Sequence, residues 1–215
     1  MKVVRVVILS FMVLLTRVAL ADMSSTLEQL QHDWAVAQYQ RNGDEQIKAY
    51  EALVIKAEQA SEDYPDSAEI WTWQGIITSS FAGVKGGLGA LSLAYDAKSC
   101  FDKAIERDGS VLDGAAYTSL ATLYSKVPGW PIAFGDDDKA EALFDKSLVL
   151  NPNGIDSNYF YAEFLFDNKR YPKAKEYLLK AQSAPARPER PLADQGRQQD
   201  IALLLQKIND KLTHK

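Results

Sequence analysis

The amino-acid sequence predicts an all-α protein made of stacked helical hairpins. Its 215 residues, 47% hydrophobic and 25% charged, have an ordinary globular composition, which excludes a disordered or collagen-like chain. Small and large side chains recur at helical spacing through the middle of the chain. The aromatic run at residues 159–161 is too short for a strand and follows the helical phase. The pattern therefore leaves no segment that favours a β-sheet.

Residues 1–21 have the three features of a secretory signal peptide. A basic start over residues 1–5 precedes a ten-residue apolar run, Val6–Leu15, and the small residues Ala19 and Ala21 occupy the positions that a signal peptidase reads. A membrane anchor is the alternative, but a span needs about 20 apolar residues and Arg17 interrupts this stretch. We expect cleavage after Ala21, a periplasmic or secreted protein, and no stable membrane insertion after cleavage.

The charge and the scarcity of cysteine narrow the classes of partner. Beyond residue 21, 21 basic residues face 29 acidic ones, a net charge near −8. Such a surface does not favour nucleic acid or anionic lipid, both of which bind basic surfaces. One cysteine, Cys100, and two histidines are too few for a disulfide framework or a His/Cys metal site. We expect no nucleic-acid partner, no metal and no cofactor.

Residues 22–66 predict an N-terminal hairpin, with helices over 27–39 and 46–62 and a turn at Asn42-Gly43. Three more units follow over residues 67–184. In each, the first helix carries a small residue between larger ones: Trp71/Gly75/Thr78, Tyr117/Ala121/Tyr124 and Asn158/Ala162/Leu165. The second carries an alanine, a large apolar residue and a small residue: Ala97/Phe101/Ala104, Ala140/Phe144/Ser147 and Ala174/Leu178/Ala181.

The two patterns are 22, 19 and 12 residues apart in the three units, counted from the small residue to the alanine. They resemble the tetratricopeptide repeat (TPR), a 34-residue helix-turn-helix in which this separation is 12. Trp71, Gly75 and Pro152 match further positions of that pattern, with Gln74 in place of its leucine. The resemblance covers about residues 47–184. It implies a right-handed superhelix of stacked hairpins, with insertions at about 81–91 and 127–135 in the first two units.

The first insertion holds four glycines, and we expect a flexible loop there because the Lys-Ser/Thr of a phosphate-binding loop is missing. The second contains Trp130 and Phe134, which we expect to fold back onto the repeats; a ligand contact by either is the alternative. Its Pro-Gly-Trp-Pro segment resembles a subset of exported bacterial repeat proteins. Asp136, which follows, is expected to cap the next helix rather than to bind Ca²⁺.

Residues 185–215 predict a linker rich in proline and arginine, followed by a capping helix. Apolar residues recur at helical spacing between Leu192 and Leu212, which suits a helix that covers the last hairpin. Arg187, Arg190 and Arg197 are expected to form ion pairs with acidic residues of the repeats. A basic binding patch is the alternative for these arginines.

The resemblance places the first helix of each hairpin along a concave groove. Nine residues are expected to line it: Thr72, Ile76, Ser79, Thr118, Thr122, Ser125, Tyr159, Glu163 and Phe166. None of them is Lys or Arg, which argues against a partner held by its terminal carboxylate. The main hypothesis is a noncatalytic adaptor that binds a protein or peptide in this groove. A small-ligand carrier associated with periplasmic solute uptake is the alternative, and an enzyme that uses Cys100 is a third, weaker one.

Overall fold

The computed structural model describes residues 22–213, and this part of the chain is all-α. It contains nine helices and no β-strand; an isolated bridge joins Gly129 and Gly135. The signal peptide predicted at residues 1–21 lies outside the described residues. The helices are α1 (22–39), α2 (Gly43–Asp63), α3 (Ala68–Lys85), α4 (Gly87–Asp108), α5 (Val111–Lys126), α6 (Asp137–Leu150), α7 (Ile155–Asp167), α8 (Tyr171–Gln182) and α9 (Pro191–Thr213).

Consecutive helices pack as hairpins, and the hairpins stack. Helix α3 packs on α4, α5 on α6, and α7 on α8. The first helices of successive hairpins, α3, α5 and α7, also pack against one another, and α1 and α2 share an apolar cluster with α3. Helix α9 covers α7 and α8, as the sequence predicts for a capping helix. The predicted all-α class with stacked hairpins is therefore confirmed.

Small residues allow the helices of a hairpin to approach closely. A Cβ added at Gly75 of α3 would lie about 2.5 Å from Cε1 of Phe101 on α4, so the ring occupies the space that the missing side chain leaves. Ala121 and Ala162, the equivalent residues of α5 and α7, are fully buried. These three positions form the inner packing face, because ridges of large side chains fit into grooves left by small ones.

The first insertion is not the loop that the sequence predicts. Helix α3 continues to Lys85 and α4 begins at Gly87, so only Gly86 separates them. Gly86 and Gly87 have φ of +61° and +63°, which glycine adopts without strain. Phe81 and Ala82 are buried, so apolar packing stabilises the added helical turn. The extra residues lengthen both helices and thereby deepen this hairpin.

The second insertion is a turn closed at its base. Gly135 N donates to Pro128 O at 2.9 Å, and Phe134 packs edge-on against Tyr124 with a centroid distance of 5.4 Å. Asp136 accepts a hydrogen bond from Lys139 N at 3.0 Å and caps α6, as predicted. Trp130, by contrast, is 89% exposed, so the expectation that it folds back is wrong. The closed base leaves it at the tip of the turn.

Candidate ligand-binding groove

A groove of about 1320 Å³ runs along the inner faces of the first helices. Helices α1, α3, α5 and α7 contribute one set of lining residues, and the linker before α9 contributes another with the first turns of α9. The lining residues of α3, α5 and α7 are called the repeat wall. The lining residues between positions 185 and 200 are called the tail wall. The two walls have different chemistry.

Six of the nine predicted residues line the groove: Ile76, Ser79, Thr118, Thr122, Tyr159 and Glu163. The other three do not. Thr72 is fully buried, and its hydroxyl donates to Ala68 O at 2.8 Å. Ser125 lies outside the lining, and Phe166 packs against Tyr171 with a centroid distance of 5.5 Å. Helical spacing gives the right face of each helix, but it does not say where along the helix the groove ends.

Several hydroxyl groups of the repeat wall bond within the protein. Thr122 Oγ1 donates to Thr118 O at 2.9 Å, and Ser79 Oγ donates to Ile76 O at 3.1 Å. Thr118 Oγ1 makes a short contact with Ser147 Oγ of α6, which is fully buried. Ser79 and Thr122 therefore offer a ligand their remaining acceptor lone pairs, whereas the hydroxyl of Tyr159, which also lines the groove, has no acceptor among residues 22–213 and is available as a donor. Such a wall is weakly polar and suits an extended chain.

Two tryptophans that the groove prediction omits also line the groove. The rings of Trp34 in α1 and Trp73 in α3 meet edge-on at 5.7 Å, and Trp34 Nε1 donates to Ser80 Oγ at 2.9 Å. Both side chains are largely buried, with 7% and 2% of their surface exposed, so they add little apolar surface to the groove. The helical phase of Thr72, Ile76 and Ser79 does not predict Trp73 in the groove, because Trp73 lies at a different angle around α3. Trp34 belongs to the first hairpin, for which no groove residue is predicted.

The tail wall adds three arginines to a groove whose nine predicted lining residues include no Lys or Arg. Arg187, Arg190 and Arg197 all line it, as does Lys126 of α5. Lys126 is neutralised by Glu163, with Nζ 3.2 Å from Oε2. The nine predicted lining residues include no basic one because they are taken from the repeat helices alone. The arginines reach the groove only because the chain turns back after α8.

Asp156, at the start of α7, holds two of these arginines. Arg187 Nη1 is 2.8 Å from Asp156 Oδ2, and Arg197 Nε is 2.9 Å from Asp156 Oδ1. Burial disfavours the Asp156 carboxylate, but the charges of Arg197 and Arg187 outweigh it and hold the pKa of Asp156 well below its usual range. The predicted arginine ion pairs to the repeats are thus confirmed for Arg187 and Arg197.

The same network also connects the capping helix α9 to the first hairpin. Arg197 Nη1 is 3.0 Å from Asp200 Oδ2, and the hydroxyl of Tyr39, at the end of α1, donates to the same oxygen at 3.2 Å. Burial raises the pKa of Tyr39 to about 12, so this hydroxyl remains a donor at neutral pH. Gly196 of α9 faces the Tyr39 ring, where a side chain would collide with it. The first hairpin and the capping helix are therefore in direct contact.

The remaining candidates lie outside the groove. Cys100 is buried on α4, and burial raises the pKa of its thiol to about 12. Neither Trp130 nor Phe134 lines the groove. Within residues 22–213 no cluster of three or more His, Cys, Asp or Glu side chains is arranged to hold a metal ion. No helix in the same part of the chain has the length and apolar character needed to cross a membrane.

Comparison with known proteins identifies no relative: no protein-family model and no curated protein matches this chain.

Proposed function

We propose that this protein is a noncatalytic adaptor that holds a peptide or a segment of a partner protein in the groove. The observation that carries this proposal is the continuous groove of about 1320 Å³, which extends across α1, α3, α5 and α7. Small-molecule pockets are typically about 300–1,000 Å³, so this groove exceeds what one such ligand needs. The acceptor lone pairs and the free Tyr159 donor of its repeat wall match the N–H and C=O groups of an extended chain.

The absence of a catalytic role is part of the same proposal. Cys100 is buried away from the groove, and a thiol whose pKa is raised to about 12 is a poor nucleophile at neutral pH. The groove carboxylates Asp156 and Glu163 both take part in ion pairs rather than facing each other as an acid–base pair.

We also propose that the hairpins are TPR units and that the protein works in the periplasm. The buried residues at the alanine and aromatic positions, Ala97/Phe101, Ala140/Phe144 and Ala174/Leu178, support the first point. The basic start and apolar run of residues 1–21 support the second. The mass of the protein isolated from a periplasmic fraction tests export, since cleavage after Ala21 leaves a chain that begins at Asp22.

A matched pair of substitutions on α5 tests the use of the groove. Thr122 lines the groove and Ser125 does not, yet both are half-buried and both hydroxyls donate to backbone carbonyls of α5. Thr122→Trp fills the groove, whereas Ser125→Trp adds the same ring outside it. We expect a random nonapeptide library to be retained by the wild type and by Ser125→Trp, and several-fold less by Thr122→Trp. Equal retention by all three proteins, measured by affinity selection and mass spectrometry, would contradict the proposal.

A carrier of a small molecule is the second candidate, and the contact between the first hairpin and the capping helix favours it. The hydrogen bond of Tyr39 to Asp200, a lining residue, joins the two ends of the described chain beside the groove and would restrain the walls around a bound ligand. Native mass spectrometry of freshly purified protein separates the two candidates. A bound small molecule that Thr122→Trp displaces, together with no retention of peptides, favours the carrier.

A further inference from the structure

Arg190 differs from the other two arginines of the tail wall. Its Nε is buried and has no hydrogen-bond partner among residues 22–213. The oxygens of Asp156 are taken by Arg187 and Arg197, and both oxygens of Asp194 accept hydrogen bonds from Arg187. The residue as a whole is half-buried, so its Nε is a buried donor without an acceptor, which is unusual because buried polar groups in proteins are almost always hydrogen-bonded.

The position of Arg190 is fixed even though its hydrogen bonds are unfilled. Its guanidinium carbon lies 4.8 Å from the centre of the Trp73 ring, a cation–π arrangement that holds the flat group against the groove. Helix α9 begins at the next residue, so the positive end of its dipole is close by. Burial and the neighbouring charge of Arg187 lower the pKa of Arg190, and the carboxylates of Asp156 and Asp194 offset this only in part.

We propose that Arg190 binds a carboxylate of the ligand held in the groove. The planar guanidinium matches the two oxygens of a carboxylate. This proposal rests on the proposed function, and it replaces the sequence-based expectation that disfavours a partner held by its terminal carboxylate. For a peptide, the carboxylate is either the chain terminus or an acidic side chain.

Three libraries of random nonapeptides test the proposal and separate these two sources. The first lacks Asp and Glu and ends in a free carboxylate, the second is the same library with an amidated terminus, and the third is amidated but contains one Glu. Affinity selection with mass spectrometry measures their retention by the wild type, Arg190→Gln, Arg190→Lys and Arg41→Gln. Arg41 is the control, because it is exposed and lies outside the groove lining.

We expect the wild type and Arg41→Gln to retain the free-acid library about tenfold more than the amidated one, as a charge-assisted hydrogen bond implies. Arg190→Gln removes that preference, and Arg190→Lys keeps part of it, because lysine preserves the charge but not the two-pronged geometry. If the Glu library is retained like the free-acid library, the acidic side chain is the source. If the Glu library is retained only as weakly as the amidated library, the chain terminus is the source of the carboxylate.

Two results would overturn the proposal in different ways. Equal retention of the three libraries by the wild type and Arg190→Gln rejects the carboxylate site while groove binding stands. No retention of any library by the wild type rejects both the carboxylate site and the peptide function. If Arg190→Gln unfolds, which circular dichroism detects, Arg190→Lys takes its place, and an acid preference as strong as that of the wild type would then contradict a role for Arg190.

Discussion

The two walls of the groove are held in place by different kinds of interaction. In the repeat wall, most hydroxyl groups bond within their own helix, as Thr122 does to Thr118 O four residues earlier. In the tail wall, Arg197 pairs with Asp156, 41 residues away in sequence, and Arg187 pairs with it from the linker. The repeat wall is therefore a local product of helix packing, whereas the tail wall depends on a few charged groups that tie the chain end to α7.

Substitution of Asp156 is the sharpest way to break the tail wall. Asp156→Ala leaves Arg197, whose side chain is 8% exposed, without the carboxylate that bonds its Nε. Removing one partner of a buried ion pair costs about 3–5 kcal/mol, and we expect about 2–3 kcal/mol because Asp156 itself is 31% exposed. Urea unfolding followed by circular dichroism measures this loss in free energy of unfolding.

The control for Asp156→Ala is Glu176→Ala on α8. Glu176 pairs with Lys180 at 2.8 Å, but both side chains are about half exposed, so little change in stability is expected. If the two variants have the same stability, the tail wall is held by apolar packing rather than by its ion pairs.

Acid should weaken the tail wall selectively. The pKa of Asp156 is lower in the folded protein than in the unfolded chain, so its ion pairs contribute full stability above about pH 4, the ordinary range of an aspartate. As the pH falls below about 4 towards the pKa that Asp156 has in the folded protein, the stability contributed by its ion pairs is lost. We therefore expect the difference in unfolding free energy between the wild type and Asp156→Asn to be constant from pH 5 to 7. Urea titrations at decreasing pH should show the difference shrinking below about pH 4, and a constant difference down to pH 2 would contradict this account.

Two glycines of α3 test how closely the helices of the repeats pack. Gly75→Ala places a Cβ about 2.5 Å from Phe101, which is fully buried, so overpacking should outweigh the better helix propensity of alanine. The expected net loss is about 1–2 kcal/mol. Gly83→Ala meets no atom within 4 Å and should stabilise the protein by about 0.5–1 kcal/mol. Thermal unfolding of the two variants measures these changes in stability. An equal loss of stability in both variants would refute close packing at Gly75.

The hydroxyl pair beneath the repeat wall should give the smallest effect. Thr118→Val leaves Ser147, which is fully buried, without its side-chain partner and should cost about 1 kcal/mol. Thr122→Val removes a hydroxyl that bonds only to a backbone carbonyl of its own helix, and its stability should stay near that of the wild type. Urea unfolding of both variants measures the difference, and no difference would mean that the Thr118–Ser147 contact is energetically neutral.

Much of the repeat wall is predictable because its causes are local. The Gly75, Ala121 and Ala162 positions identify the packing faces, and six of the nine groove residues follow from them by helical phase. Phase repeats along the whole helix, however, so it also selects Thr72 and Phe166, which lie outside the groove. The glycines of residues 81–91 suggest a loop because glycine weakens helices, but burial of Phe81 and Ala82 outweighs that preference.

By itself, the sequence determines the all-α class, the stacked hairpins and the capping helix, because helical periodicity is written in each segment without reference to the others. Only the tertiary structure decides that Arg190 lies on Trp73, that Asp156 joins Arg187 and Arg197, and that Tyr39 meets α9. Such contacts depend on where the chain returns after α8, which no local pattern encodes. The charge of the groove is set by that return of the chain.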